Sequence, residues 1–308
     1  MRALVTGATG FVGQRLLAQL EKPVVLSRSA AAAEKKLAAH GVTAFDWQAV
    51  DGLPPSEALD GIDVVFNLAG EPVAEGRWNE AKRQRIRDSR VVGTRHLVDA
   101  IAASNQRPSV LVSASAVGYY GDRPGEVLDE ASTCSDGFLA DVCVAWESEA
   151  IRAMELGLRV VCLRIGVVLG RGGGAMGQML TPFKFGVGGR LGNGKQYMPW
   201  IHLDDVVGLL LHGAKQDSVR GPMNGVAPGS CTNQEFTKAL GRVLKRPTIL
   251  PVPAFGLRLA LGGFADVLLE SQQIVPRVAQ ETGYSFQYPQ ITDALAEVIH
   301  GDCSSSAA

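Results

Sequence analysis

The chain carries almost no net charge: 30 Lys and Arg stand against 31 Asp and Glu in 308 residues, leaving −1. No long-range field therefore recruits nucleic acid or an anionic membrane, and neither is expected as a partner. Cysteine is sparse. Cys134, Cys143, Cys162, Cys231 and Cys303 are odd in number, without CxxC or metal-ligand spacing, so they predict reduced thiols in a cytosolic protein and no metal site. No run of 18 apolar residues occurs, which excludes a membrane-spanning helix, and a first strand beginning at residue 2 leaves no room for a signal peptide. Aromatics make up only 6% of the chain and five of them are tyrosines. There is no internal repeat. What is present is a globular composition, 46% apolar and 20% charged, in a chain long enough for one large domain or two ordinary ones. Gly301 to Ala308 reads as a small, polar tail expected to be disordered.

The strongest local signal lies at the start. Arg2 to Thr6 is an apolar strand, Gly7-Ala8-Thr9-Gly10-Phe11-Val12-Gly13 follows at once, and Leu16, Leu17 and Leu20 then mark one face of a helix. Strand, glycine turn and helix in that order form a dinucleotide-binding context. Gly7 permits the tight turn, Gly10 lets backbone approach a pyrophosphate, and Gly13 lets helix pack on strand. The anion would sit at the helix N-terminus, against free N–H groups and the positive end of the dipole.

Strands and helices alternate from there. The second strand, Val24 to Leu26, ends in Ser27-Arg28-Ser29 with no acid to bind a ribose 2′-hydroxyl. Arg28 instead offers a permanent charge and a planar fork to a 2′-phosphate, so NADP(H) is the expected cofactor. Strands three and four are read at Val42 to Phe45 and Ile62 to Phe66. Asp46-Trp47 falls where an adenine would lie, with Trp47 fitting either that site or the packing beneath it. Asn67-Leu68-Ala69-Gly70 places small residues at a strand's carboxyl end, where ligands bind in such sheets. A helix over 79–105 opens with Lys82, Arg83, Arg85, Arg87 and Arg90, mostly a solvated face. A fifth strand, Val110 to Ser113, leads into Ser115 and Gly118-Tyr119-Tyr120-Gly121; a helix bearing Asp141, Cys143, Trp146 and Glu147 follows, then a sixth strand over 159–164.

After Gly170 the texture loosens. Residues 171–175 read as a flexible loop and 186–194 as a second one. Trp200 to Asp205 returns to a strand and opens a helix, with Asp204 or Asp205 suited to its N-cap. The predicted architecture is α/β: a Rossmann-type, doubly wound parallel sheet from residues 1–169 and 201–225, with a smaller C-terminal substrate domain from 170–200 and 226–300.

Taken together, the turn of Gly7, Gly10 and Gly13, Asn67 to Gly70, the serine-rich end of strand five and His202-Leu203-Asp204-Asp205 resemble the extended short-chain dehydrogenase/reductases. More narrowly, the chain is similar to the atypical nucleoside-diphosphate-sugar epimerase-like family, whose bacterial members are often labelled epimerases or cell-division inhibitors. Gly70-Glu71-Pro72, Ser89-Arg90, Gly118 to Gly121, Ala145-Trp146-Glu147, Arg164 to Gly170, Pro199 to His202 and Asn224 to Pro228 carry that likeness over nearly the whole chain. It implies a seven-stranded parallel sheet binding NADP(H). The turn glycines with Thr9, Phe11 and Val12 would hold the pyrophosphate, and Ser27 and Arg28 the 2′-phosphate. Leu68, Ala69 and Gly70 would line the ribose side, Arg90 would touch the cofactor, and Val168 would sit near the nicotinamide amide. Related folds often dimerise through two helices beside the central strands, so a homodimer is also an expectation.

The likeness has a gap at its centre. Ordinary members carry Tyr-x-x-x-Lys, stacked on one helical face so that the ammonium lowers the phenol's pKa. Here the residues four beyond Tyr119, Tyr120, Tyr197, Tyr284 and Tyr288 are Arg123, Pro124, Ile201, Tyr288 and Thr292. Alignment on Glu147 puts Leu139 and Cys143 where the pair should be, and neither can replace it. Ser115, Tyr119 and Tyr120 are the candidate catalytic groups, with a packing role beneath the cofactor as the tyrosines' other reading. Lys184, Arg190, Lys195, Gln196 and His202 are candidates for binding a small polar substrate, which the family label alone makes a nucleotide sugar; surface solvation, or for His202 a structural hydrogen bond, is the alternative. The expected function is an NADP(H)-dependent oxidoreductase or epimerase. Its competitor is an NADPH-binding sensor that has lost chemistry.

Overall fold

The computed structural model describes residues 1–301, so the tail expected over 301–308 lies, beyond Gly301, outside the described residues. The chain begins β1 (Ala3–Thr6), α1 (Phe11–Leu17), β2 (Val24–Ser27), α2 (Ala30–Lys36), β3 (Thr43–Asp46) and β4 (Val64–Asn67). It continues through α3 (Glu80–Ala103), β5 (Val110–Ala116), β6 (Val127–Leu128), α4 (Phe138–Ile151), β7 (Arg159–Ile165) and β8 (Val167–Leu169). Next come α5 (Gly174–Lys184), β9 (Tyr197–Met198), β10 (Trp200–His202), α6 (Leu203–Lys215) and β11 (Gly221–Gly225). The last part holds β12 (Cys231–Thr232), α7 (Asn233–Leu244), α8 (Ala254–Leu261), α9 (Phe264–Leu269), β13 (Gln273–Ile274), α10 (Arg277–Glu281) and α11 (Ile291–His300).

Seven strands form one sheet in the order β11-β7-β5-β4-β1-β2-β3, every neighbouring pair parallel. This is the doubly wound sheet the sequence predicts. Side chains alternate across a strand, so each strand serves two cores. Val5, Phe66, Val112 and Leu163 face the side on which Leu16, Val206 and Leu210 pack; Leu4, Val65, Leu111 and Cys162 face Leu97, Ile101 and Ala150. Order reverses at β1, with β4 on one side and β2 on the other, and ligands bind at the carboxyl ends beside such a reversal. A third cluster, including Trp200, Phe183, Phe236, Leu240 and Leu295, lies apart from the sheet.

Three local expectations are corrected. Strand four starts at Val64 because Ile62 closes a 3-10 turn through its N–H to Leu59. The stretch over 171–175 is not free loop: α5 begins at Gly174, and a Cβ on Gly170, Gly173 or Gly174 would lie 2.6–2.8 Å from the Phe11 ring, so these glycines clasp it. The N-cap of α6 is His202, whose Nδ1 accepts the Asp204 N–H at 3.2 Å. Asp205 is instead fully buried, accepting from the Tyr284 hydroxyl and the Gln287 and Tyr288 N–H groups.

Helix α1 meets β1 without a spare ångström. A Cβ on Gly13 would stand 2.3 Å from the Gly7 carbonyl oxygen and 2.7 Å from the Ala8 Cα. Gly13→Ala should therefore push the helix off the strand and destabilise the chain by about 1–3 kcal/mol. Urea denaturation reads this directly, and an unchanged midpoint would refute the close packing.

Candidate functional site

The carboxyl ends of β1 and β4 are tied by one hydroxyl. Thr6 Oγ1 donates to Asn67 Oδ1 at 2.9 Å and accepts the N–H groups of Leu68 and Ala69, each at 3.0 Å. Asn67 in turn donates to Thr94 and Ser113. The clamp fixes the chain at Leu68 and Ala69 against the turn, where Gly7 has φ +68° and a Cβ would lie 2.6 Å from the Leu68 carbonyl oxygen. Gly10 donates to Gly7 O at 3.0 Å, and that oxygen is the one atom close to where its Cβ would stand, so its outer side is open. No side chain caps α1 at Gly10, which leaves the first-turn N–H groups free for an anion. Phe11 and Val12 offer backbone here; the Phe11 ring is already covered by the glycines of 170–174.

Lys36, not singled out by sequence, reaches back from the end of α2 and donates from Nζ to Thr9 O at 3.0 Å. Ser27 is half-buried and Arg28 exposed at the end of β2. The pair read as adenine contacts is occupied elsewhere. Asp46 Oδ1 accepts the Ala30 N–H at 2.7 Å, holding the start of α2. Trp47 is 6% exposed, packed in the core on the α3 side with its indole N–H on Gly52 O at 2.8 Å. Its packing role is the one the structure takes.

Behind the end of β5 lies a buried ionic network. Arg164 on β7 donates from Nε and Nη2 to both oxygens of Glu147 on α4, each at 2.8 Å. Ser115 donates to Glu147 Oε1 at 2.6 Å. Arg164 Nη1 also donates to the Tyr120 hydroxyl at 3.0 Å, which donates onward to Asn224 Oδ1 at 2.8 Å. Burial works against the Arg164 charge, but the two Glu147 hydrogen bonds and that carboxylate's charge outweigh it and hold its pKa above the ordinary value. Burial pushes the Tyr120 phenol up to about 12. Ser115 and Tyr120, named from sequence as proton donors, thus have hydroxyls already committed to structure. Tyr119 differs: it is half-buried, its ring lies face-on to Arg164 with Cζ 3.4 Å from the centroid, and it meets Tyr120 edge-on.

The positions that should carry the Tyr-Lys pair hold a half-buried leucine and a buried thiol. Leu139 packs on Gly118, and the Cys143 thiol, pushed up to about 11 by burial, donates to Ala116 O at 3.6 Å. Arg90 stands beside them, its Cζ 5.2 Å from the Trp146 ring centroid, with Nη1 donating to the carbonyls of Glu71 and Ile86 at 3.1 Å. Gly70 leaves it room, since a Cβ there would lie 3.1 Å from the guanidinium carbon. Burial lowers the Arg90 pKa. Lys82 and Arg85, read as solvated, both reach Glu71, and the Lys82 hydrogen bond holds that carboxyl below its usual range.

The substrate candidates divide. Gln196 is buried and donates to Leu191 O at 3.1 Å; His202 is buried with both ring nitrogens used, Nε2 standing 2.9 Å from Glu297 Oε2. Both are engaged within the fold, as the structural alternative for His202 expects. Arg190 is exposed but folds onto its own loop, donating to Asn193 O at 2.8 Å. Lys184 and Lys195 are exposed, and Val168 sits half-buried in β8 opposite Ile201. Sequence reasoning missed Glu270, which follows α9 and whose carboxyl is raised to about 7 by burial and by Asp122 and Asp266.

Two measurements follow from these charges. Glu147→Gln leaves the Arg164 guanidinium buried beside a neutral amide and should cost about 3–5 kcal/mol of stability, read by thermal or urea unfolding. For Glu270 the folded pKa lies above the unfolded one, so its burial costs nothing below about pH 4 and increasingly more as pH rises through 7. Glu270→Gln should then stabilise on the order of 1 kcal/mol at pH 8 and change little at pH 4, a difference that paired melting curves resolve.

Residues 3–224 match the NAD dependent epimerase/dehydratase family, and 252–298 match a domain of unknown function, DUF1731. The chain is 41% identical over 308 residues to the chloroplastic epimerase family protein SDR39U1 homolog of Arabidopsis thaliana, covering 97% of this chain and 87% of that one. It is 36% identical to epimerase family protein YfhF of Bacillus subtilis, covering 97% and 98%. The crystal structure of human epimerase family protein SDR39U1 with NADPH is 36% identical, with a TM-score of 0.84 over 97% of this chain and 99% of that one. With the glycine turn, the reversal in strand order and these matches in agreement, the chain belongs to the NAD dependent epimerase/dehydratase family.

Proposed function

We propose that the protein is an NADP(H)-dependent oxidoreductase or epimerase-like enzyme for a small polar substrate, working without a Tyr-x-x-x-Lys couple. The observation that carries the cofactor half is the open, uncapped turn at Gly7, Gly10 and Gly13, clamped by Thr6 to the strand end at Leu68. The human relative crystallised with NADPH supports the same reading. The free amides of the turn, Thr9, Phe11 and Val12 among them, would hold the pyrophosphate, while Ser27 and Arg28 would take the 2′-phosphate with Lys36 adding charge nearby. Leu68, Ala69 and Gly70 would line the ribose side, with Arg90 and Val168 towards the nicotinamide. That group, when bound, supplies hydride exchange at its C4 carbon.

For the proton, Tyr119 is our assignment. Ser115 and Tyr120 are committed to the network around Glu147 and Asn224, whereas Tyr119, in the same cluster, is only half-buried. We also propose a nucleotide domain over 1–169 with 201–225 and a substrate domain over 170–200 with 226–300, a division supported by the separate cluster around Trp200 and Phe236. A homodimer through α3 and α4 is supported by Val144 and Ile151, exposed at 39% and 41% on α4. A second reading, an NADPH-binding sensor, is favoured by one observation: the standard catalytic positions hold Leu139 and a Cys143 thiol pushed up to about 11.

Protein purified without added cofactor decides between these. Nucleotide released only on denaturation would indicate an epimerase-like cycle on one retained cofactor. Free exchange with preference for NADPH, and turnover with a carbonyl panel, would indicate a reductase; binding without turnover indicates the sensor. Arg28→Ala should cut the preference for NADPH over NADH about 10- to 100-fold, the worth of hydrogen bonds to a charged group; an unchanged ratio refutes the 2′-phosphate assignment. Tyr119→Phe should lower kcat about 10²- to 10⁴-fold with NADPH affinity intact, and wild-type turnover would remove Tyr119 from the chemistry.

A further inference from the structure

One stretch of surface, remote in sequence from the nucleotide turn, joins two chemistries. A groove of about 330 Å3 is lined by Lys238, Arg242, Lys245 and Arg246 with Gly241, Pro247 and Thr248, and no carboxylate faces it. Lys238 and Arg242 lie one turn apart on α7, Lys245 is its left-handed C-cap at φ 53°, and Arg246 follows. Directly after the groove, Ile249 and Leu250 are exposed at 83% and 57%. A second segment runs alongside and exposes Phe185 at 79% and Val187 at 54%. The two are fastened by hydrogen bonds from Arg246 Nε to Lys184 O at 3.1 Å, from Val252 N to Arg190 O at 2.8 Å and from Gly192 N to Val252 O at 2.9 Å. Four cations and four exposed, large apolar side chains are therefore carried on two segments fastened together.

We propose that this face docks on a bilayer containing anionic phospholipid, with Phe185, Ile249 and Leu250 entering the acyl boundary while the groove's cations meet headgroup phosphates. The charge fits: acidic headgroups attract clustered Lys and Arg, and apolar side chains beside such a cluster gain by leaving water. The apolar half separates this partner from nucleic acid, since Ile249 and Leu250 have no phosphate or base edge to meet. A net charge of −1 gives no long-range recruitment, but a patch acts within a Debye length of about 8 Å and needs none. Among the described residues no helix is long and apolar enough to cross a membrane, so the contact is peripheral and reversible.

Co-sedimentation of the full chain with lipid vesicles tests this. Phosphatidylcholine vesicles containing phosphatidylserine should pellet the protein, and pure phosphatidylcholine vesicles should not. Replacing Lys245 and Arg246 together by Glu should weaken binding at least about 25-fold, roughly fivefold for each cation removed. Ile249→Ser should weaken it about tenfold, from loss of one buried aliphatic side chain, with melting temperature and NADPH affinity unchanged. Equal pelleting with both vesicles, no pelleting with either, or indifference to these substitutions overturns the proposal. So does displacement from the vesicles by an oligonucleotide, or a solution dimer that Ile249→Ser dissociates.

Discussion

Glu147 and Arg164 meet behind the end of β5, each nearly sealed from water, and much of the molecule is arranged so that they can. A guanidinium and a carboxylate taken out of water are costly unless their geometry is good and their remaining hydrogen-bonding capacity is filled. Here the pairing is bidentate, Ser115 takes one more lone pair of the carboxylate, and Tyr120 uses another arm of the guanidinium. Asn224 then completes Tyr120 and donates through its own side chain to Val275 O. The chain binds β5, α4, β7 and β11 together at the end of the sheet where a ligand would lie. Loss of either charge strands the other, which makes this the point where stability and site geometry are one property.

The same network pins α4, the helix on which the resemblance would place the tyrosine and lysine. The helix that normally presents them is pinned from below by Glu147, and its Leu139 and Cys143 fill space against Gly118 and Ala116. Polar side chains stand on neighbouring elements instead: Tyr119 on the turn after β5, lying on the Arg164 guanidinium, and Arg90 on α3, stacked on Trp146. A cation thus still stands near a phenol, though it comes from a strand rather than from the next helical turn.

The glycine turn and the sheet are legible in sequence because their constraints are short. The turn from Gly7 to Gly13 needs a positive φ, an open approach and a close helix, all within seven residues, and the alternation of Val64, Val65 and Phe66 states both faces of the sheet. By contrast, nothing local in the sequence shows that Leu191 O engages Gln196 or that Glu297 engages His202. Trp47 and Asp46 were ambiguous for the same reason. The one sequence signal of the ionic network is a charged residue in each of two apolar segments, around Glu147 and around Arg164, 17 positions apart.

The sequence by itself determined the doubly wound sheet, the nucleotide turn and the lack of a Tyr-x-x-x-Lys couple, since period, glycine placement and residue identity are local properties. Only the tertiary structure decided which polar side chains are free to act. Tyr120 meets Asn224 across 104 positions, Thr6 meets Asn67 across 61 and His202 meets Glu297 across 95. Whether a hydroxyl or imidazole is spent on folding or left for a ligand depends on partners that only folding brings within hydrogen-bonding distance.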